Sequence, residues 1–143
     1  GMLWTHRTED AEVILTSMGS LAAEATVAAD ALREEGIKAG VVGIRVYRPF
    51  PEKKEIVEAY RNARAVILFE KSISYGYEGG LCSDLKAAFY GSGIDAVIHD
   101  HVAGLGGRDV KARELVAAAK SSLARIQAGE RDLKTTWLNC ATE

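Results

Sequence analysis

The chain has 143 residues, of which 48% are hydrophobic and 27% are charged, and its formal net charge is -2. This length fits one domain, and the composition is typical of a folded globular chain and not of a disordered one. The small negative charge argues against a nucleic-acid-binding protein, which usually carries a basic excess. No apolar run reaches the roughly 18 residues of a transmembrane helix, and the amino-terminal residues lack the pattern of a signal peptide.

The sequence divides into three segments. Residues 1–10 begin with Gly-Met, which is typical of the remnant of a cleaved purification tag, and continue as a polar linker. Residues 11–127 are predicted to form the domain, and residues 128–143 a tail whose Trp137 contacts the domain surface or a partner. Trp4 is expected to be exposed unless a segment outside this chain covers it.

Strand-like and helix-like patterns alternate along the domain. Short apolar runs rich in β-branched residues predict strands, and apolar residues at helical spacing predict helices. The predicted strands are residues 12–18, 38–47, 64–70 and 94–102. The predicted helices are residues 20–35, 52–62, 78–90 and 110–127. This alternation predicts an α/β domain of three layers, in which a mostly parallel sheet of four to five strands lies between two layers of helices.

Cap residues and glycines refine this prediction. Ser20 and Asp109 are expected to cap the amino-termini of the first and last helices, and Gly36 is expected to end the first helix in the left-handed conformation. Gly40 and Gly43 lie within the second predicted strand, where they indicate close packing of a helix.

The two cysteines, Cys82 and Cys140, form neither a metal-binding motif nor a disulfide framework. We expect Cys82 to be a small buried hydrophobe and Cys140 to be a free thiol, as in a reducing cytoplasm. An iron–sulfur cluster needs more thiolates than this chain has, so none is expected within it.

Polar residues follow the predicted strands. Ligands of open α/β sheets bind outside the carboxyl ends of the strands, so a small ligand of this domain is expected there. Arg48 and Glu70 can form an ion pair beneath the helix that begins near Gly80. The candidate ligand or interface residues are Arg48, Glu70, Lys71, Ser72, Tyr75, Glu78, Gly79, Gly80 and Arg108.

The glycine-rich sequence GLGGR at residues 104–108 has two interpretations. The helix amino-terminus that follows it could bind a phosphate through free N–H groups. However, the glycine spacing is not that of a dinucleotide-binding motif, and Asp109 places a negative charge where the phosphate would lie. A structural turn with positive φ angles is therefore favoured.

The sequence His-Asp-His in the fourth predicted strand is a candidate for metal binding. His99 and His101 point to the same side of a strand, and Asp100 points to the other. Two histidines do not complete a zinc site, and the chain contains no nucleophile elbow. We therefore expect no metal site and no self-sufficient catalytic residue in this chain.

Several motifs in a fixed order resemble one enzyme family. They are RTEDAEVIL (7–15) with SMGS (17–20), RPFPE (48–52), FEK (69–71), SYGYEGGL (74–81) and AGLGGRDV (103–110). From about Arg7 to Ile126 the chain resembles the 2-oxoacid:ferredoxin oxidoreductases, such as pyruvate:ferredoxin oxidoreductase. The similar part is the transketolase-C-terminal-like domain that ends their alpha subunit.

The resemblance implies a structural or interface domain of an enzyme that oxidatively decarboxylates a 2-oxoacid to acyl-CoA. That enzyme uses thiamine diphosphate with Mg²⁺, iron–sulfur clusters and coenzyme A, and it passes electrons to ferredoxin. These groups are expected in other domains or subunits, which would be the partners of this domain, and the isolated domain is expected to be inactive. The resemblance also implies an antiparallel strand at one sheet edge. The two cysteines fit a cytoplasmic location, and the net charge and the lack of a long apolar run predict neither nucleic acid nor membrane as a partner.

Two alternatives stay open. The same fold closes the beta subunit of 2-oxoacid dehydrogenases and transketolase, although GLGGRD and RTEDAE favour the ferredoxin-linked branch. A free-standing module that binds a small ligand or a protein is the other alternative. Whether the chain belongs to the ferredoxin-linked branch or to another thiamine-dependent enzyme, domains outside this chain are expected to select the 2-oxoacid.

Overall fold

The structure, a computed structural model, describes residues 3–18, 21–45, 51–70, 80–102 and 110–138, with Met18 described by its backbone alone. The strands are β1 (Leu3–His6), β2 (Val13–Met18), β3 (Ala39–Ile44), β4 (Ala65–Glu70), β5 (Val97–Val102) and β6 (Thr136–Trp137). The helices are α1 (Ala22–Glu34), α2 (Lys53–Tyr60), α3 (Gly80–Phe89) and α4 (Ala112–Gln127).

These strands form one sheet in the order β1-β3-β2-β4-β5-β6. β1 runs antiparallel to β3, whereas the other neighbouring strands in this order are parallel. The predicted α/β class is confirmed, as is the antiparallel edge strand that the resemblance implied. The predicted number of strands was too low, because both edge strands come from segments with no strand-like pattern.

β1 corrects the prediction that residues 1–10 are a polar linker. Leu3 is aligned with Ile44 of β3, and His6 with Val41. The backbone pairing with β3, and not a hydrophobic alternation, makes this segment a strand. Whether the segment begins with a tag remnant lies outside the described residues.

Two glycines of β3 explain how β1 and its neighbours approach the sheet. A Cβ atom on Gly43 would lie 2.0 Å from the indole of Trp4, and one on Gly40 would lie 2.6 Å from the carbonyl oxygen of Arg7. Trp4 is half-buried against the hydrophobic core. The glycines therefore make room for β1 and the residue after it, and the prediction that they accommodate a helix was wrong.

β6 forms the opposite edge of the sheet. Its strand pairs with β5, and the N–H of Leu138 donates a hydrogen bond to the carbonyl oxygen of Val102 at 2.9 Å. Leu138 packs against the core, while Trp137 is 55% exposed. Of the two predicted roles of the tail, the structure shows contact with the domain surface.

The core consists of two clusters, one on each face of the sheet. β4 contributes to both, because its side chains alternate between the faces. Ile67 and Phe69 pack with α1 and α4, whereas Val66 and Leu68 pack with α2 and α3. Each fully buried aliphatic side chain stabilises the fold by roughly 1.5–3 kcal/mol. The predicted burial of β4 on both faces is thus confirmed.

The predictions for the two ends of α1 have different outcomes. Gly36 follows the helix with a φ of 88°, which confirms its predicted left-handed conformation. The N-cap is Leu21 and not Ser20, and the side chain of Leu21 makes no capping hydrogen bond. Leu21 is instead buried in the core, so packing fixes this end of the helix.

α4 also begins later than predicted. Its N-cap is Lys111, not Asp109, which lies outside the described residues. The Glu114 carboxylate accepts a hydrogen bond from the N–H of Lys111 at 2.8 Å. The N–H of Ala112 donates to Glu24 of α1 at 2.7 Å. A contact between two helices therefore satisfies part of this helix end.

Candidate functional site

The carboxyl edge of the sheet contains a topological switch point between β2 and β4. From β2 the chain passes through α1 to β3 on one side, and from β3 through α2 to β4 on the other side. Ligands of open α/β sheets bind in the crevice at such a point. Ser17 of β2 is aligned with Phe69 of β4 here, is fully buried, and has no hydrogen-bond partner for its hydroxyl among the described residues.

Two acidic side chains meet beside this point. Glu70 ends β4, and Asp100 lies on the neighbouring strand β5, where it is aligned with Leu68. Glu70 lies two residues after Leu68 and therefore points to the same face of the sheet, and Asp100 is aligned with Leu68. Both acids thus face α2 and α3, as Leu68 does. Glu70 is 8% exposed and Asp100 is 2% exposed, and the Asp100 carboxyl group is close enough to Glu70 to raise its pKa. We refer to these two residues as the carboxyl pair.

Glu70 also caps α3 from another element of the fold. Its carboxyl group accepts hydrogen bonds from the backbone N–H groups of Leu81 and Cys82. These residues lie in the first turn of α3, which begins at Gly80. N–H groups of a first turn have no partner within their own helix. The carboxyl pair therefore connects the ends of two strands to the start of a helix.

Burial determines the protonation state of Glu70. Burial, followed by the hydrogen bond and the charge of Asp100, raises the pKa of Glu70 to about 9, although the N–H groups of Leu81 and Cys82 act in the opposite direction. Two carboxyl groups that share a buried site resist double ionisation. Among the described residues, burial and Asp100 therefore favour the protonated form of Glu70 at neutral pH.

The other face of β5 carries the two histidines. The ring centroids of His99 and His101 are 4.2 Å apart, which confirms that both point to the same side. His99 Nδ1 lies 2.6 Å from Ser122 Oγ, and His99 Nε2 lies 2.8 Å from Thr136 Oγ1. His101 Nδ1–H donates to the carbonyl oxygen of Leu68 at 3.2 Å. These hydrogen bonds connect β5 to α4, β6 and β4, which is a structural role.

We expect the stability of the domain to depend on His101 in acid. Burial, and secondarily the charge of His99, lowers the pKa of His101 to about 4. The unfolded histidine binds a proton near pH 6.5, so stability is lost as the pH falls from about 6.5 towards 4, by at most about 1.4 kcal/mol per pH unit. Urea unfolding at pH 7, 6 and 5 should show a smaller loss for His101→Gln than for the wild type. Parallel pH profiles of the two proteins would contradict this assignment.

Most of the predicted site lies outside the described residues. Glu70 and Gly80 are described, and Glu70 lies at the strand end where the sequence placed it. The ion pair between Arg48 and Glu70 stays a prediction, as does the interpretation of residues 104–108. The predicted residues outside the description are Arg48, Lys71, Ser72, Tyr75, Glu78, Gly79 and Arg108.

Asp100 is the residue of this site that sequence reasoning missed. Its side chain was correctly placed opposite the histidines, but no partner was assigned to it. The signal was a polar His-Asp-His sequence in a strand whose residues are all buried. A buried acid requires polar neighbours, and Glu70 is one such neighbour of Asp100.

Three cavities bordered by described residues lie away from the carboxyl pair. A cavity of about 530 Å³ is bordered by Ile37, Lys38 and Leu123 near the amino end of β2. One of about 360 Å³ lies between β1 and α2, and one of about 260 Å³ lies beneath Tyr90 and beside β5. These cavities therefore do not extend the site at the carboxyl edge.

Within the part of the chain that the structure describes, no three His, Cys, Asp or Glu side chains are grouped so that they could hold a metal ion. Cys82 is buried in the cluster with Leu81 and Leu85, which confirms its predicted packing role. None of the described helices combines the length and the apolar character that crossing a membrane requires.

The order of elements and motifs agrees with a known family. Residues 11–115 match the family model for pyruvate:ferredoxin oxidoreductase core domain II. The chain belongs to this family. The match to core domain II extends from the residues before β2 into α4, so it includes both members of the carboxyl pair and both histidines.

Relatives of core domain II occur in enzymes with different names. The ketoisovalerate oxidoreductase subunit VorA of Pyrococcus horikoshii is 35% identical over 136 residues, which are 95% of this chain and 34% of that protein. The pyruvate synthase subunit PorA of Pyrococcus abyssi is 36% identical over 138 residues, which are 96% of this chain and 35% of that protein. The chain thus spans about a third of the length of the curated relatives it matches.

Solved structures share the fold of core domain II. The 2-oxoglutarate:ferredoxin oxidoreductase of Magnetococcus marinus superposes with a TM-score of 0.61 and 17% identity over 85% of this chain and 19% of that one. A split-gene transketolase, described as an inactive beta4 tetramer, superposes with a TM-score of 0.59 and 28% identity over 82% of this chain and 40% of that one. The predicted transketolase-C-terminal-like fold is confirmed.

Proposed function

We propose that this chain is a structural and interface domain in the alpha subunit of a 2-oxoacid:ferredoxin oxidoreductase. The observation that carries the proposal is the alignment of nearly the whole chain with VorA and PorA subunits. The whole enzyme converts a 2-oxoacid and coenzyme A to acyl-CoA and CO₂, and it transfers the released electrons to ferredoxin. We place this enzyme in the cytoplasm, because the two cysteines of the chain fit a reducing compartment.

The cofactors are proposed to lie in other domains or subunits. Thiamine diphosphate with Mg²⁺, the iron–sulfur clusters and coenzyme A would be bound there, and this domain would support the domains that bind them. Several of the described polar groups near the carboxyl edge make contacts within the fold, which favours binding of the cofactors by other domains. Glu70 caps α3 and contacts Asp100, and His99 connects Ser122 to Thr136.

The substrate is proposed to be selected outside this chain. The chain is 36% identical to a PorA subunit and 35% identical to a VorA subunit, so it resembles the two to the same extent. The names of these relatives refer to different 2-oxoacids, pyruvate and ketoisovalerate. A domain that determined the substrate would be expected to resemble one group more than the other.

The interface is proposed to include the start of α3 and the loops at the carboxyl edge. Gly80 is exposed and begins α3, and a glycine permits close approach of another backbone. Glu78, Gly79 and the other candidate residues of these loops stay proposals. The partners would be the remaining domains and subunits of the oxidoreductase, and ferredoxin would reach this domain only through the whole enzyme.

The proposed function predicts a specific activity of the native complex. We expect the complex, isolated anaerobically with an antibody against this domain, to reduce a viologen dye when it receives coenzyme A and one of pyruvate, 2-oxoisovalerate or 2-oxoglutarate. The 143-residue chain alone should show no such reduction under the same conditions. A native complex that reduces the dye with none of these substrates would contradict the proposal, and the free-standing module would then be favoured.

A further inference from the structure

We infer that the outer edge of β1 and the cavity between β1 and α2 form a docking surface for an extended, basic segment of a partner protein. This surface lies at the side edge of the sheet and consists of other residues than the interface at the start of α3. It follows from the described fold alone, so it stands whether or not the proposed enzyme assignment is correct.

The first observation is the position of β1 in the sheet. β1 pairs with β3 along its four residues and lies at the end of the strand order, so its outer edge pairs with no other described strand. The backbone N–H and C=O groups along such an edge can pair with an added strand. β6 ends the sheet on the opposite side, but it has only two residues. β1 therefore offers a partner the longer row of main-chain hydrogen bonds.

The second observation is that contacts on one face hold β1 in place. His6 Nε2 lies 2.8 Å from Oδ1 of Asp30 on α1, and Trp4 packs against the core on the same face. Leu3 and Thr5 point to the other face, where they border the cavity. The edge thus belongs to a fixed strand, and its backbone needs little further ordering when a partner binds.

The third observation is the character of the cavity, whose volume is about 360 Å³. Leu3 and Ala59 are half-buried against the hydrophobic core and give the cavity apolar walls. The N–H group of the Asn62 side chain donates to the carbonyl oxygen of Glu9 at 2.8 Å, which joins the segment after β1 to the end of α2. The charged residues that border the cavity are exposed, and they are Glu9, Glu55, Glu58 and Arg61.

The charges around the cavity select a basic side chain. Arg61 forms an ion pair with Glu58, so these two charges compensate each other. The carboxylates of Glu9 and Glu55 have no ion-pair partner among the described residues. A lysine or arginine fits this arrangement, because its methylene groups can pack against the apolar walls while its charged end lies near these carboxylates.

Strand geometry relates the edge to the cavity. Side chains of an added strand alternate between the two faces of the sheet, so every second one points to the face where the cavity lies. Main-chain hydrogen bonds along β1 would supply affinity, and the cavity would supply specificity. The partner segment is therefore one in which basic residues alternate with apolar ones.

An amide NMR titration of the 143-residue chain tests this docking surface. The probe is a blocked peptide in which lysine alternates with valine, and its matched control has glutamate in place of lysine. We expect the lysine peptide to shift the amide signals of β1 and α2 and not those of β6, and the glutamate peptide to shift none of them. The double variant Glu9→Gln with Glu55→Gln should bind the lysine peptide roughly tenfold more weakly.

A matched variant separates the cavity from the overall charge of the chain. Glu34→Gln removes an exposed glutamate of α1, outside the cavity, and should leave the affinity for the lysine peptide unchanged. Equal binding of the two peptides, or signal changes that cluster away from β1, would overturn the inference. So would an unchanged affinity in the double variant, or the absence of binding at millimolar lysine peptide.

Discussion

Glu70→Gln is expected to raise the free energy of unfolding by roughly 2–3 kcal/mol at pH 8 and to leave it nearly unchanged at pH 5. In the unfolded chain a glutamate ionises above about pH 4.3. In the folded chain Glu70 keeps its proton up to a pKa of about 9. The wild type therefore loses stability as the pH rises from about 4.5 towards 9, by at most about 1.4 kcal/mol per pH unit. Glutamine has no proton to lose, so the variant escapes this loss.

Urea unfolding of both proteins at pH 5, 6, 7 and 8 measures this effect. The difference between Glu70→Gln and the wild type should grow steadily with pH. Glu55→Gln is the control, because Glu55 is an exposed residue of α2. A difference that is the same at pH 5 and pH 8 would show that Glu70 is ionised in the folded chain.

Gly43→Ala is expected to destabilise the domain by about 3 kcal/mol, since a large overlap in a packed region forces side chains and backbone to move. The added Cβ atom would lie 2.0 Å from the Trp4 indole. The indole must then leave its half-buried position, and its contact with the core is lost. Gly43 is not among the glycines with positive φ, so the alanine backbone itself is unstrained.

A double-mutant cycle separates the overlap from other effects of the alanine. In a Trp4→Ala background, Gly43→Ala should cost less than about 1 kcal/mol, because the space beside β3 is empty and alanine loses less backbone entropy than glycine. The expected coupling is about 2 kcal/mol, measured by urea unfolding of the four proteins. Equal costs in the two backgrounds would mean that Trp4 does not lie over Gly43 in solution.

The central strands and helices could be predicted from the sequence because the hydrophobic pattern that defines each one lies in its own residues. β4 is a continuous apolar run that is buried on both faces of the sheet, and its predicted end at Glu70 is correct. The edge strands could not be predicted in this way. β1 and β6 are short, and their pairing with β3 and β5 depends on which backbone lies beside them. Such information resides in the tertiary structure and not in a local pattern.

The candidate site was predictable only in part for the same reason. Glu70 was found because a polar residue at the end of a buried strand lies where ligands bind. Its partner Asp100 is thirty positions away, and their contact follows from the register that aligns Leu68 with Asp100. Sequence periodicity gives the face to which a side chain points, but it does not give the alignment of two strands. The resemblance identified the family correctly and assigned no role to either acid.

The most direct measurement of the central claim is the size and cofactor content of the native polypeptide that carries this domain. An immunoblot with an antibody against the domain, followed by mass spectrometry of the purified complex, gives both. We expect a polypeptide about three times as long as this chain, as in the matched VorA subunit. It should copurify with thiamine diphosphate and with subunits that contain iron–sulfur clusters. A polypeptide of 143 residues without such partners would contradict it.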